Sequence, residues 1–288
     1  MKIQELGIYQ CPECRRTGLQ LKEAQWDQAH KEILEGRLVC DGCPASFPVL
    51  KGIPRFVPSR NYSQSFGYQW NLHRRTQLDS YTGFPLSRNR LKEGTGWPEK
   101  MEGQRILEAG SGAGRFTEIL LDSKALVFSF DFSRAVEANW QNNGAAPNLS
   151  LFQGDMSCLP FRPGIFDKVF CFGVLQHTPD PEAAFKSLAS QVRPGGELVI
   201  DVYKKTIAAL LHWKYILRPL TKRVDLQTLY RVVAKWVPRL LPVAIVLRKI
   251  GGRAGARLLP VLQYSHWGLP YALNKEWAIL DTFDMLSP

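Results

Sequence analysis

The residues of this sequence whose types and spacing can do chemistry are four cysteines, a run of glycines and three carboxylates. Cys11-Pro-Glu-Cys14 and Cys40-Asp-Gly-Cys43 are two CxxC pairs with 25 residues between them. Two such knuckles can close four thiolates around one Zn²⁺. Four thiolates leave no open coordination position, so a metal held there is structural and not catalytic. The flanking stretches YQCPEC and GRLVCDGCPASFPVLKGIPRF carry short strand-like pieces beside each knuckle, as a zinc ribbon does. Structural zinc supplies on the order of 10 kcal/mol or more of apparent binding free energy to such a small module. Free cysteines or a redox pair are the plainer alternatives. Cys158 and Cys171 stand far from this set and read as small buried residues.

The glycines lie in RILEAGSGAGRF, residues 105–116. A short strand, 105–109, runs into Gly110, Gly112 and Gly114, and a helix begins at Phe116. Glycines there permit a tight turn and close backbone approach to a ligand. The third glycine comes one position too early for a nicotinamide fingerprint, and there is no P-loop pattern. The turn alone leaves a dinucleotide site, a methyl-donor site or a plain tight turn open. Glu108 precedes the first glycine by two positions. The next strand, 125–130, ends at Asp131, where an acid can accept both hydroxyls of a ribose. A third strand, 149–153, leads to Asp155 and Met156. Either aspartate could instead cap a helix. A fourth strand, 166–172, ends at Phe172 and is followed by GVLQHTPDP. His177 in that loop is the best general base on offer, because its ordinary pKa suits neutral pH. Its plainer role is a loop histidine bonded to backbone. His212 and His266 are weaker candidates, and Asp167 reads as structural.

These groups need a scaffold. A helix over 181–192 and a fifth strand over 197–202 complete five strand signals separated by helical stretches. That alternation predicts an α/β fold, a mostly parallel sheet with helices on both faces. The chain divides into four parts: 1–58, the cysteine module; 59–102, a connector in which Tyr62, Phe66, Tyr68 and Trp70 could form a lid; 103–203, the α/β core; and 204–288, a basic, aromatic segment with a tail. At 288 residues and 45% apolar composition, the chain can bury a full core without disulfides. The first residues hold no apolar run of signal-peptide type, and no window is apolar enough to span a bilayer. A cytoplasmic protein with reduced cysteines is expected.

The motifs EAGSGAG, the acid at 131, GDMSCLPF, FDKVFCFGVLQHTPDP and RPGGELVI, in that order, resemble class I S-adenosylmethionine-dependent methyltransferases. The nearest resemblance is to the ubiquinone/menaquinone-biosynthesis type. It covers about residues 103–203. Residues 1–58 resemble the zinc ribbon of Trm112-like proteins. The resemblance implies a Rossmann-like three-layer sandwich that binds S-adenosylmethionine. Glu108, Gly110, Gly112 and Gly114 would hold the methionine end. Asp131 would hold the ribose, Asp155 and Met156 would face the adenine, and Phe172 to His177 would line the cofactor and the substrate mouth. The loop after the fourth strand lacks the [DNS]-P-P-[YF] pattern of enzymes that methylate exocyclic amino groups of bases. The sequence departs from the pattern in lacking the sixth and seventh strands that usually close the sheet.

The formal charge of +11 is local. Thirteen of the 37 Lys and Arg residues lie between Lys204 and Leu262, with Asp225 as the one acid there. That segment nets +12, so the rest of the chain nets −1. Trp213, Tyr215, Tyr230 and Trp236 are interleaved with the cations. Pro219, Pro238 and Pro242 are expected to break the segment into short helices. Cations beside aromatics and leucines read as an interfacial helical cap. The expected acceptor is therefore small or amphiphilic: a lipid, quinone or glycolipid-like molecule. Contact with the inner face of an anionic membrane would run through 204–262. RNA, which a basic surface also attracts, is the second reading, and a non-catalytic scaffold the third.

Overall fold

The computed structural model describes residues 1–27, 32–58, 63–202 and 213–287. Tyr62, Lys204, Lys205 and His212 lie outside them. The chain forms two compact units. The first comprises residues up to 67 together with 85–202. The second comprises 68–84 with the described residues from 213 onward. The connector is thus shared between them.

The first unit begins with an antiparallel sheet of β1 (Leu19–Asp27), β2 (Glu32–Cys40), β3 (Ser46–Leu50) and β4 (Ile53–Pro54), in that order. Helices α1 (Gln64–Leu72), α2 (Asp79–Thr82) and α3 (Leu86–Thr95) follow in the chain; α1 runs across the sequence boundary of the units, and α2 belongs to the second. Next come β5 (Arg105–Ala109), α4 (Arg115–Asp122), β6 (Leu126–Asp131), α5 (Val136–Asn143), β7 (Leu149–Gln153), β8 (Phe166–Cys171), α6 (Pro181–Gln191) and β9 (Val192–Ile200). The second sheet has the order β7-β6-β5-β8-β9 and is parallel throughout. Its central strands are largely buried on both faces, with Glu108, Ser129 and Lys168 set among their apolar residues. All five C-terminal strand ends therefore share one edge, where open α/β sheets bind ligands.

The two sheets share one apolar core. Tyr9, fully buried, stacks on Phe161 with ring centroids 5.5 Å apart and meets Phe56 at 5.2 Å. Phe152 of β7 joins the same group. Truncating a ring in such a cluster typically costs about 3–5 kcal/mol. Arg55, just past β4, pairs as a parallel bridge with Gln153 and forms an ion pair with Glu137 at 3.3 Å. The cysteine module is thereby built onto the open edge of β7.

Three expectations need correction. The fifth strand starts at Val192, not 197, because Val192 pairs with Phe166 before a bulge spans Arg193–Gly196 and regular pairing resumes at Glu197. Cys158 is half-buried, while Cys171 is fully buried as expected. The third correction concerns the prolines.

In the second unit, α7 (Trp213–Thr221), α8 (Leu226–Gly255) and α9 (Tyr271–Leu286) follow one another. Pro219 lies inside α7, and Pro238 and Pro242 lie inside the one long element α8, so none of the three divides the segment. In α8 the loss is small for a local reason. The missing N–H of Pro242 would have bonded the carbonyl of Pro238, and the Tyr271 hydroxyl reaches that oxygen at 3.5 Å instead. Packing does the rest. Leu229, Val233, Val237, Leu241 and Ala244 recur at helical spacing, are buried, and share a core with Ala278, Phe283 and Met285 of α9. The actual break is at Gly252, with φ 55 and ψ −133. Asp225 caps the start of α8 by accepting from Thr228 N at 2.9 Å. No sixth or seventh strand occurs among the described residues, and β9 stands at an edge of its sheet.

Candidate cofactor site and metal centre

The four knuckle cysteines converge. Their sulfurs lie within 4.8 Å of one another, with Cys11 to Cys43 at 3.7 Å and Cys14 to Cys40 at 3.5 Å. A Zn–S bond of about 2.3 Å implies tetrahedral S···S edges of about 3.8 Å. The set fits a closed, structural Zn²⁺. The Gly42 N–H donates to Cys40 Sγ at 3.3 Å and pulls that thiol down to about 7.

The second site lies at the C-terminal edge of the parallel sheet. Glu108, next to the end of central strand β5, is only 1% exposed. Its Oε2 accepts from Thr117 Oγ1 at 2.5 Å and from Ser129 Oγ at 2.7 Å. Asn139 Nδ2 donates to Thr117 Oγ1 at 2.9 Å, which ties α5 into the same network. Glu108 Oε1 has no partner. Burial pushes the Glu108 carboxyl up to about 7, against the pull of its hydroxyl partners.

The glycine turn follows at once. Gly110 N and Ser111 N both donate to Phe130 O at 2.9 Å, which pins the turn to β6. Gly114 has φ +88, and a Cβ there would lie 2.2 Å from Asn139 Oδ1. A side chain would break that packing as well as strain the backbone. The Ser111 hydroxyl is buried without a hydrogen-bond partner.

Asp131, at the tip of β6, is half-buried. Its Oδ2 accepts from Gly112 N at 2.9 Å, and its Oδ1 accepts from Ser133 N at 2.8 Å and Ser133 Oγ at 2.6 Å. Burial raises its carboxyl above the usual aspartate range. Asp155, beyond β7, repeats the arrangement: its Oδ1 accepts from Ser157 N at 2.8 Å and Ser157 Oγ at 2.7 Å. Both acids thus stiffen the turns they begin, and each keeps lone pairs for a ligand. Met156 beside Asp155 is buried.

Phe172 turns inward. It meets Phe116 and Phe170 edge-on at 5.6 and 5.4 Å, and α3 closes over it at Gly94, where a Cβ would sit 2.6 Å from the ring. His177 is exposed at the end of a 3₁₀ turn, with the Phe66 ring 5.5 Å away. The edge therefore gathers Glu108, the glycines, Asp131 and Asp155. Tyr68, expected in a lid, packs with Tyr230 and Phe283 in the second unit. His266 stacks with Tyr264 and Trp267. Asp167 is structural, accepting from Arg105 N and pairing with Arg193.

Sequence reasoning missed two groups. Asp201, at the tip of β9, accepts from Gly173 N and pairs with Arg90 of α3 at 2.6 Å. Its position, matching that of Asp131, was the available signal. His73 bonds Tyr230 Oη through Nε2 at 3.1 Å within the second unit, and burial pushes it down to about 4. No sequence pattern marks it.

Residues 107–200 match the family described as "Methyltransferase domain". A ubiquinone biosynthesis O-methyltransferase of Coxiella burnetii is 28% identical over 114 residues, which are 39% of this chain and 49% of that protein. An uncharacterised Synechococcus protein is 36% identical over 115 residues, which are 38% of this chain and 28% of that one. The chain thus spans about half or less of the length of these relatives. Among solved structures, the complex between the Haloferax volcanii Trm112 methyltransferase activator and a methyltransferase gives 22% identity and a TM-score of 0.41, covering 50% of this chain and 61% of the other. A Methanococcus maripaludis S-adenosyl-L-methionine-dependent methyltransferase gives 18% identity and a TM-score of 0.39, covering 50% and 67%. The domain over 107–200 is a class I S-adenosylmethionine-dependent methyltransferase domain.

The raised Glu108 carboxyl has a consequence for stability. As pH rises from the ordinary glutamate range to about 7, the unfolded chain loses this proton before the folded one does. Folding stability therefore falls across that window and levels off above it. Glu108→Gln removes this slope. Urea unfolding at about pH 5 and about pH 8 should show the variant gaining on the wild type by roughly 1–3 kcal/mol as pH rises. A pH-independent difference would show that Glu108 ionises normally.

Proposed function

We propose that this protein transfers a methyl group from S-adenosylmethionine to an amphiphilic acceptor of lipid or quinone type. The observation that carries the cofactor is the sheet edge itself. Two buried polar atoms, Glu108 Oε1 and Ser111 Oγ, wait without partners beside the glycine turn, and two carboxylates stand at the next strand tips. Glu108, Ser111 and the turn Gly110–Gly114 would hold the methionine end. Asp131 would accept from the ribose hydroxyls, Asp155 and Met156 would border the adenine, and Phe172 would act as a packed wall. When bound, the cofactor supplies an electrophilic methyl on a sulfonium, open to in-line displacement. His177 would take the acceptor's proton where the acceptor carries one, a contribution of about 10²-fold or more. The glycine turn, pinned to Phe130 O, would hold the methionine end of the cofactor in a fixed place at the sheet edge.

The acceptor class rests on the second unit. From Leu226 to Lys275 the sequence has no Asp or Glu. Val232, Trp236, Val243, Val246 and Ile250 form an exposed stripe on α8, stepping by four and three residues with Arg239 between. Arg231, Lys235 and Lys249 flank it. This is the pattern of a helix lying on an anionic membrane surface. No described helix is long and apolar enough to cross a membrane.

Methyl-labelled S-adenosylmethionine, offered with a bacterial lipid and quinone extract and with total RNA, should label the organic-soluble pool. His177→Asn should slow that labelling about 10²-fold. Label in RNA alone would overturn the acceptor class, and label in neither pool would overturn the transfer. Vesicles carrying anionic lipid should co-sediment the protein, and neutral vesicles should not. Equal binding to both, or to neither, would remove the membrane from this account.

A further inference from the structure

The break at Gly252 does more than end a helix. Beyond it the chain folds back on α8 so closely that a Cβ at Gly255 would lie 1.9 Å from Leu247 O. Only glycine fits there. Trp213 of α7 holds the returning segment by donating from Nε1 to Arg257 O at 2.8 Å. The fold-back places Arg248, Arg253 and Arg257 around one cavity of 240 Å³, walled by Val261, Met285 and Gln263.

The charges of this cavity are unbalanced. No carboxylate among the described residues pairs with any of the three guanidinium groups. Three like charges around one small space repel each other and stabilise an anion placed among them. Gln263, 6% exposed, adds a second observation. Its Oε1 accepts from Ser265 N at 2.9 Å and Ser265 Oγ at 2.6 Å, which fixes the amide's orientation. Its Nε2 is then buried with no acceptor, a costly state for a donor. The remaining wall is mostly apolar. Guanidinium forks match phosphate oxygens, and the apolar wall matches the start of a hydrocarbon chain.

We infer that the cavity rimmed by Arg248, Arg253 and Arg257 binds the phosphate-type head of an amphiphile, with the first part of its chain against Val261 and Met285. The cavity is smaller than the roughly 300 Å³ at which whole-ligand pockets begin, so it takes a head and the start of a tail. Gln263 lines the same cavity, and its unpaired Nε2 would be the donor offered to a head-group oxygen. The site lies within the second unit and does not rest on the methyl-transfer reading.

Calorimetry on the zinc-loaded full chain tests it, using monomeric octyl phosphate, inorganic phosphate and octyl glucoside. Octyl phosphate should bind at one site, inorganic phosphate about tenfold or more weaker, and octyl glucoside not detectably. The double variant Arg253→Gln/Arg257→Gln should weaken octyl phosphate by about tenfold or more, with unchanged circular dichroism. Arg16→Gln/Arg162→Gln, which removes two exposed cations from the first unit, should leave its affinity unaltered. Undiminished binding by the first double variant, or equal binding of octyl glucoside, would overturn the site. Inorganic phosphate binding as tightly as octyl phosphate would show a free-anion site and overturn the amphiphile.

Discussion

A carboxylate buried in the middle of a sheet must find donors or hold its proton, and Glu108 does both in part. Its Oε2 gathers hydroxyls from α4 and β6, and through Thr117 it reaches Asn139 on α5. One side chain therefore ties the central strand to its neighbour and to two helices. The same Asn139 leaves room only for glycine at 114, so the network also shapes the glycine turn at the sheet edge. Because all strands of the sheet are parallel, the turn, Asp131 and Asp155 come to one edge. The site is a product of that geometry.

The cysteine module extends the same logic outward. An open edge at β7 would be a liability for aggregation. Here Arg55 bridges to Gln153, and Tyr9, Phe56, Phe152 and Phe161 pack across the join. A metal on the four cysteines would hold the knuckles, and the aromatic cluster joins them to the sheet. The second unit follows a different plan: one face of α8 is buried against α9, while the opposite stripe and the arginine cavity meet the solvent.

Much of this was legible in the sequence because it depends on short-range patterns. The knuckle spacing gives the metal set. Strand runs ending in Gly or Asp give the sheet and the acids at its edge. What failed depended on partners distant in the chain. Pro238 and Pro242 look like helix breaks until Tyr271 and the face of α9 are in place. Asp201 looks like part of a strand until Arg90 arrives from α3. The true break, at Gly252, sits in a GGRAG stretch whose fold-back is visible only through Leu247.

The central claim is that the sheet edge binds S-adenosylmethionine through Asp131 and the glycine turn. Calorimetric titration of the zinc-loaded protein with S-adenosylmethionine, beside Asp131→Ala, tests it most directly. The account predicts one micromolar site in the wild type and none in the variant. A folded wild-type protein that binds nothing, or an Asp131→Ala variant that binds equally well, would contradict it.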